Sequence, residues 1–307
     1  MDAVRIDGPV ERRRSWEPGG LASRVGRLGG GLPASSLLIG AIVSMQCGAA
    51  LATELFARGG VAGTAFLRCT FAAIVLMSIA RPRLRGRSRA DVASLALFGV
   101  LLAGMNTAFY EAIDRLPLGV AVTIEFLGPL TVATIFSRRR RDLLWIALAA
   151  AGVAAFAGIP GGSSLDRAGI AFALLGAACW GSYVLVAKRV GRAWAGSEGL
   201  AAAMVVAALA LAPFGIASGG VQLVDPLLLL LAAGVGVFSA AIPFALELHA
   251  LRRLTATSYG VLTSLEPAVA GAAGLVLLGQ RPGLPAIVAA LLVVTASIGV
   301  TRSTRAE

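Results

Sequence analysis

The sequence predicts an all-α polytopic membrane protein: ten transmembrane helices forming two inverted five-helix repeats around a central cavity. Three observations carry that prediction. Apolar segments of about 20 residues, the length needed to cross a bilayer as a helix, recur along the whole chain. Arginines gather in the loops of one side. Two segments expected to run in opposite directions across the membrane match each other without gaps.

Composition sets the class before any segment is read. The 307 residues are 57% hydrophobic and 14% charged, with a mean hydropathy of +0.84. A soluble domain carries about 25% charged residues. The net charge of +11 does not mark a nucleic-acid surface, because the arginines lie in short loops without interleaved aromatics, so no nucleic-acid partner is expected. Cys47, Cys69 and Cys179 sit singly inside apolar segments and read as small buried thiols. With His249 the single histidine, paired-histidine metal motifs are excluded, and no cofactor is expected.

The segment 1–33, rich in Arg and Gly, is too polar to fold alone and is expected to be a disordered cytoplasmic tail. The first apolar run, Ala34–Phe56, continues past a faint A-L-A cleavage pattern and is too long for a signal core. It is therefore read as the first span. Val61–Ala80, Val92–Ile113, Leu118–Phe136 and Leu143–Ile159 follow, completing a first repeat over 34–159. Ala168–Ala187, Gly199–Ser218, Pro226–Ala250, Ala256–Leu278 and Pro285–Val300 make a second repeat over 160–301, and 302–307 form the C-terminus. The connections are short, so sequential spans should pack antiparallel.

Charge sets the orientation. With the N-terminus inside, the inner loops hold Arg81, Arg83, Arg85, Arg87 and Arg89, then Arg138 to Arg141, Lys188, Arg189 and Arg192, Arg252 and Arg253, and Arg302 and Arg305. The outer loops hold only Arg58, Arg115, Arg167 and Arg281. Both termini are therefore expected in the cytoplasm of a cell-membrane protein. Ala112–Ala133 aligns with Ala250–Gly271, placing Leu116 on Leu254 and Pro129 on Pro267, although the first turn should face outside and the second inside.

Several stretches resemble the drug/metabolite transporter superfamily with EamA-type repeats, and most closely its threonine/homoserine exporter group. They are G-G-V-A-G-T-A-F-L-R at Gly59–Arg68, E-F-L-G-P at Glu125–Pro129 within Gly104–Leu130, and S-R-R-R-R-D at Ser137–Asp142. G-A-A-C-W-G-S-Y-V-L at Gly176–Leu185, the run Ile242–Leu254 and S-L-E-P within Gly260–Gly271 complete the set. The resemblance implies a secondary exporter of small polar metabolites, amino acids above all, with peripheral fifth and tenth spans. Proton coupling is a hypothesis from buried carboxylates. The absence of a G-x-x-x-x-G-K-[ST] loop disfavours ATP-driven transport. Export of other metabolites or drugs is the alternative, and a non-transporting scaffold or an intramembrane enzyme is the different-class rival.

A charged side chain at mid-bilayer costs about 2.5–3.5 kcal/mol on insertion scales, so each one should face a cavity or a partner. Glu125 and Glu266 lie nearest mid-span. Each can bind a substrate ammonium or exchange protons; the rivals are an ion pair with Arg68 for Glu125 and an interhelical hydrogen bond for Glu266. Arg68 either pairs a buried carboxylate or binds a substrate carboxylate. Gln46, Asn106, Tyr110, Trp180 and Tyr183 are candidates to wall or hydrogen-bond a substrate, against a role in helix packing. Glu111, Glu247, His249 and Glu54 sit nearer span ends. Pro129 and Pro267 deprive the Glu125 and Thr263 carbonyls of a helical donor, a kink at corresponding points of both repeats. The small-residue face Gly40, Ser44, Gly48 and Ala52 is expected to pack closely and to turn Gln46 elsewhere; Ala173, Ala177 and Gly181 repeat the pattern.

Overall fold

The computed structural model describes residues 32–82, 86–135, 144, 147, 151, 166–194, 197–251, 253–281 and 283–303. The fifth span Leu143–Ile159 except residues 144, 147 and 151, the tail before residue 32 and Arg138 to Arg141 lie outside the described residues, as does the His249 side chain.

Every regular element among the described residues is helical. These are α1 (Ala34–Gly59), α2 (Val61–Ala80), α3 (Arg89–Arg115), α4 (Leu118–Glu125), α5 (Leu127–Ile135), α6 (Arg167–Ala193) and α7 (Glu198–Gly219). After a 3-10 turn at Gly220–Val224 come α8 (Pro226–Gly236), α9 (Ile242–Leu251), α10 (Ala256–Thr263), α11 (Glu266–Leu278) and α12 (Leu284–Ser303). Among the described residues, seven stretches are long and apolar enough to cross a membrane, with Leu118–Ile135 and Ser258–Leu278 each counted as one. Two shorter apolar stretches, Pro226–Ala240 and Leu284–Gly299, accompany them. The chain is a multi-pass, all-α membrane protein.

Polar caps fix where several helices begin. The Ser88 hydroxyl accepts from the Asp91 amide at 3.1 Å and the Asp91 carboxylate accepts from the Ser88 amide at 3.3 Å, a capping box that starts α3 ahead of the apolar run. Asp166 caps α6, and Asp225 caps α8 with Pro226 in its first turn. α6 runs to Ala193, past the apolar boundary at Ala187, so Lys188, Arg189 and Arg192 ride on its last turns rather than in a loop. Cations are favoured there by the helix dipole.

Lipid offers no hydrophobic drive between helices, so close packing must supply the cohesion, and small residues allow it. α3 lies along α6 and α7, α2 along α7 and α8, and α1 along α9 and α11. A Cβ on Gly215 of α7 would come within 2.4 Å of Phe66 of α2, and one on Gly99 of α3 within 2.5 Å of Val206 of α7.

Three spans are irregular. The helix breaks at Phe126 (φ −64°, ψ −16°), between α4 and α5, just ahead of Pro129. It breaks again at Ser264 and Leu265, between α10 and α11, just ahead of Pro267. Each proline lacks the N–H that would hold the turn before it. Between α8 and α9, Val237–Ala241 form a π turn. Such turns leave a carbonyl badly matched within the helix and available to other donors.

The broken spans pack unequally. α4 crosses α11 so closely that a Cβ on Gly119 would sit 2.7 Å from the Gly271 Cα. The Leu118 amide donates to the Gln280 side-chain oxygen at 3.0 Å at the same end. The other halves, α5 and α10, scarcely meet. The bundle is thus drawn shut where α3 turns into α4, and not where α9 turns into α10.

Candidate functional site

Between the two breaks lies a cavity of about 90 Å³. It is lined by Gln46, Arg68, Asn106, Tyr110, Glu125, Trp180 and Glu266 together with Met45, Ala49, Met105, Phe109 and Val122. Seven of the eight residues that sequence reasoning assigned to a substrate site thus meet here. The eighth, Tyr183, is stacked on Phe98 with ring centroids 4.7 Å apart and does not line this cavity. At about 30 Å³ per water the space holds roughly three waters. Typical small-molecule sites occupy about 300–1,000 Å³, so a ligand must widen it.

The helix breaks place the two carboxylates in opposite settings. Glu125 closes the C-terminal end of α4, where free carbonyls gather negative potential. Glu266 opens α11, where free N–H groups favour an anion. Each is 7% exposed. The two lie within electrostatic reach of each other, and Glu125 also within reach of Arg68. The Glu125 end of the cavity therefore suits a cation, and the α11 end suits negative charge.

Arg68 does not form an ion pair with Glu125. Its Nε donates to the Ser239 hydroxyl at 2.8 Å, its Nη1 to the Asn106 side-chain oxygen, and its Nη2 reaches the Ser239 carbonyl at 3.5 Å. Pro243, four residues on, has no N–H to donate to that carbonyl. The guanidinium also stands 5.7 Å from the Tyr110 ring centroid. Arg68 thus ties α2 to α3 and to the π turn while presenting its charge to the cavity.

Three buried polar atoms around the cavity have no hydrogen-bond partner: Gln46 Oε1, Tyr110 OH and Glu125 Oε1. They come from three different helices. An unpaired buried polar atom costs about 1–3 kcal/mol, so three on one small space indicate a site organised around something polar. Trp180 stands edge-on to Phe126, 5.7 Å between centroids, and closes the wall at the first break.

The remaining candidates lie elsewhere. Glu111 is bound by Arg115, which donates to its carbonyl at 2.6 Å and stands over the Phe172 ring at 5.1 Å. Glu54 is exposed on α1. Gly48 packs against the π turn at Ser239, 2.8 Å from an added Cβ, and the Ser44 hydroxyl donates to the Phe238 carbonyl at 2.7 Å. That contact turns Gln46 toward the cavity.

Sequence reasoning missed two positions. Ser239 anchors Arg68; the available signal was Pro243, four residues on, which has no N–H to give the Ser239 carbonyl. Gly176 on α6 makes room for Glu125: an added Cβ would meet the Glu125 Oε1 at 2.7 Å. Its small size, one turn before Trp180, was the available signal. Gly176→Ala is expected to displace the carboxylate while leaving the fold intact, because the atom met is the end of a flexible side chain. Transport should fall at least about tenfold, since a shift of about 1 Å in a positioned group can cost about a hundredfold. A melting temperature near wild type, with flux also at the wild-type level, would contradict this placement of Glu125.

A helical bundle whose interrupted spans enclose a polar cavity is the build of a membrane transporter. The chain belongs to the EamA-like transporter family. The model of that family matches residues 167–302. The chain is 37% identical over 279 residues to the threonine/homoserine exporter RhtA of Salmonella typhimurium strain SL1344, covering 90% of this chain and 93% of the relative. Identity and coverage are the same for the exporter of that name from Escherichia coli K12. One solved crystal structure, 18% identical, superposes with a TM-score of 0.60 over 89% of this chain and 98% of the other, a likeness of fold alone.

Proposed function

We propose that the protein exports small amino acids, threonine or homoserine foremost, by proton-coupled alternating access in the inner membrane. The observation that carries this reading is the set of three unpartnered polar atoms around the cavity. A zwitterionic amino acid fits them. Its ammonium goes to Glu125 and Gln46 at the negative end of α4, and its carboxylate to Arg68 and the Tyr110 hydroxyl. Asn106 holds Arg68 in place, and Trp180 bounds the side chain. Glu266, with Glu125, binds the coupled proton. The names of the relatives support the substrate class.

Two inverted five-helix repeats suit this role. The packing of the described helices pairs off under exchange of the halves: α3 on α6 corresponds to α1 on α8 and α9, α7 on α3 to α2 on α8, and α2 on α7 to itself. Phe126 and Ser264, where the spans break, hold matching positions in the aligned segments. With the arginine-rich ends inside, the shut end of the bundle faces out and the mouth faces the cytoplasm, where an exporter loads.

Proteoliposomes loaded with labelled threonine test this. Efflux should accelerate when a proton gradient opposes it in direction, and collapse when a protonophore is added. Wild-type protein that carries no amino acid, under any gradient, would end this reading.

A further inference from the structure

The cavity does not use one carboxylate inside the bundle. Glu247 lies on α9, half-buried, and accepts a hydrogen bond from the Tyr259 hydroxyl on α10. Tyr259 itself packs among Leu37, Leu38 and Ile42 of α1 and Leu246 of α9. A carboxylate in such a setting calls for a cation, yet Glu247 has no ion pair among the described residues. Its neighbours are groups that carry protons instead. Tyr259 from α10, Tyr183 from α6 and Glu266 from α11 all lie within electrostatic reach of it or of one another. α1, which also packs on α9, meets it at Gly40 and Leu246, an apolar contact.

Position adds to this. Tyr259 and Glu266 stand seven residues apart on one span, on either side of the break. They lie within electrostatic reach of each other, and the Tyr259 hydroxyl donates to Glu247. α10 belongs to the half of the bundle that is not drawn shut.

We propose that Glu247 and Tyr259 form the proton relay between Glu266 and the water at the open end of the bundle. The step conserves protons. The Glu266 carboxylic acid passes its proton to the Tyr259 oxygen, directly or along intervening water. The Tyr259 hydroxyl gives its own proton to the Glu247 carboxylate. Tyrosine stays neutral throughout, and Glu247 then releases one proton to bulk water. Tyr183, stacked on Phe98 away from the substrate cavity, lies within electrostatic reach of Glu247 and Tyr259. The proposal rests on the proton-coupled reading of the cavity and assigns its exit.

The test separates net proton movement from substrate exchange. Threonine counterflow at equal pH requires no net proton passage, whereas gradient-driven flux does. In full-length protein, Glu247→Gln is expected to keep counterflow within about twofold and to lose gradient-driven flux at least about tenfold, the scale of a lost proton-transfer group. Tyr259→Phe should do the same, and Glu247→Asp should restore part of the gradient response. Loss of both activities in Glu247→Gln, with normal membrane abundance, would overturn the relay and make Glu247 structural. Retention of both would overturn it too. A wild-type protein with counterflow but no response to a gradient would defeat proton coupling itself, and the relay with it.

Discussion

Glu125→Gln should weaken threonine binding at least about thirtyfold, with the protein still folded and inserted. The substitution keeps size and removes charge. Losing one member of a buried charge pair costs about 2–5 kcal/mol. At about 1.4 kcal/mol per tenfold, the lower bound is roughly thirtyfold. The effect should appear as a raised KM in counterflow, where no proton gradient enters, and not only as a lower maximal rate. The fold should tolerate the change, because Glu125 Oε1 has no hydrogen-bond partner to lose. A KM within about twofold of wild type, at normal abundance, would remove Glu125 from the ammonium site.

Gly128→Ala should be the most damaging single methyl in the chain. A Cβ there would lie 2.0 Å from the Ala177 carbonyl oxygen and 2.8 Å from its carbon, so it meets backbone rather than a side chain that can swing aside. Gly181 packs on the same point from one turn further along α6, its own added Cβ lying 3.2 Å from the Gly128 oxygen. Overpacking a tight site costs about 1–3 kcal/mol even where neighbours can move. The expected result is a melting temperature lowered by several degrees in detergent and reduced abundance in the membrane. Wild-type melting would mean that α5 and α6 do not approach as closely as the structure has them.

The contrast between these positions also shows what a sequence can reveal. Apolar length indicated the spans, because bilayer thickness acts on composition directly. The breaks near Phe126 and Ser264 were foreseeable from Pro129 and Pro267, since a missing N–H is a local fact. The convergence of Gln46, Arg68, Asn106, Tyr110, Glu125, Trp180 and Glu266 was anticipated from depth alone. Depth does not say which way a side chain points, so Tyr183, at a similar level, was grouped with them and lies instead against Phe98. Partners were less legible still. Arg68 was weighed against Glu125, but the π turn at Val237–Ala241 offers it a hydroxyl and a carbonyl; Pro243, whose missing N–H frees that carbonyl, was the local signal left unread. Gly128 and Glu266 hold matching positions in the two aligned segments yet do opposite things, one packed on α6 and the other lining the cavity. A repeat can conserve a backbone path while its side chains diverge.

The crossing of Gly119 over Gly271 bears on how fast the molecule can work. At that point two backbones touch with no side chains between them. Parting them at this point requires no interlocked ridge to be lifted, only the surrender of dispersion contact and of the Leu118–Gln280 hydrogen bond. The seal holds by proximity rather than by interdigitation. In the alternating-access cycle proposed above, a ligand that binds one state better decides which prevails. A gate made of glycine trades the security of a lock for the speed of a hinge.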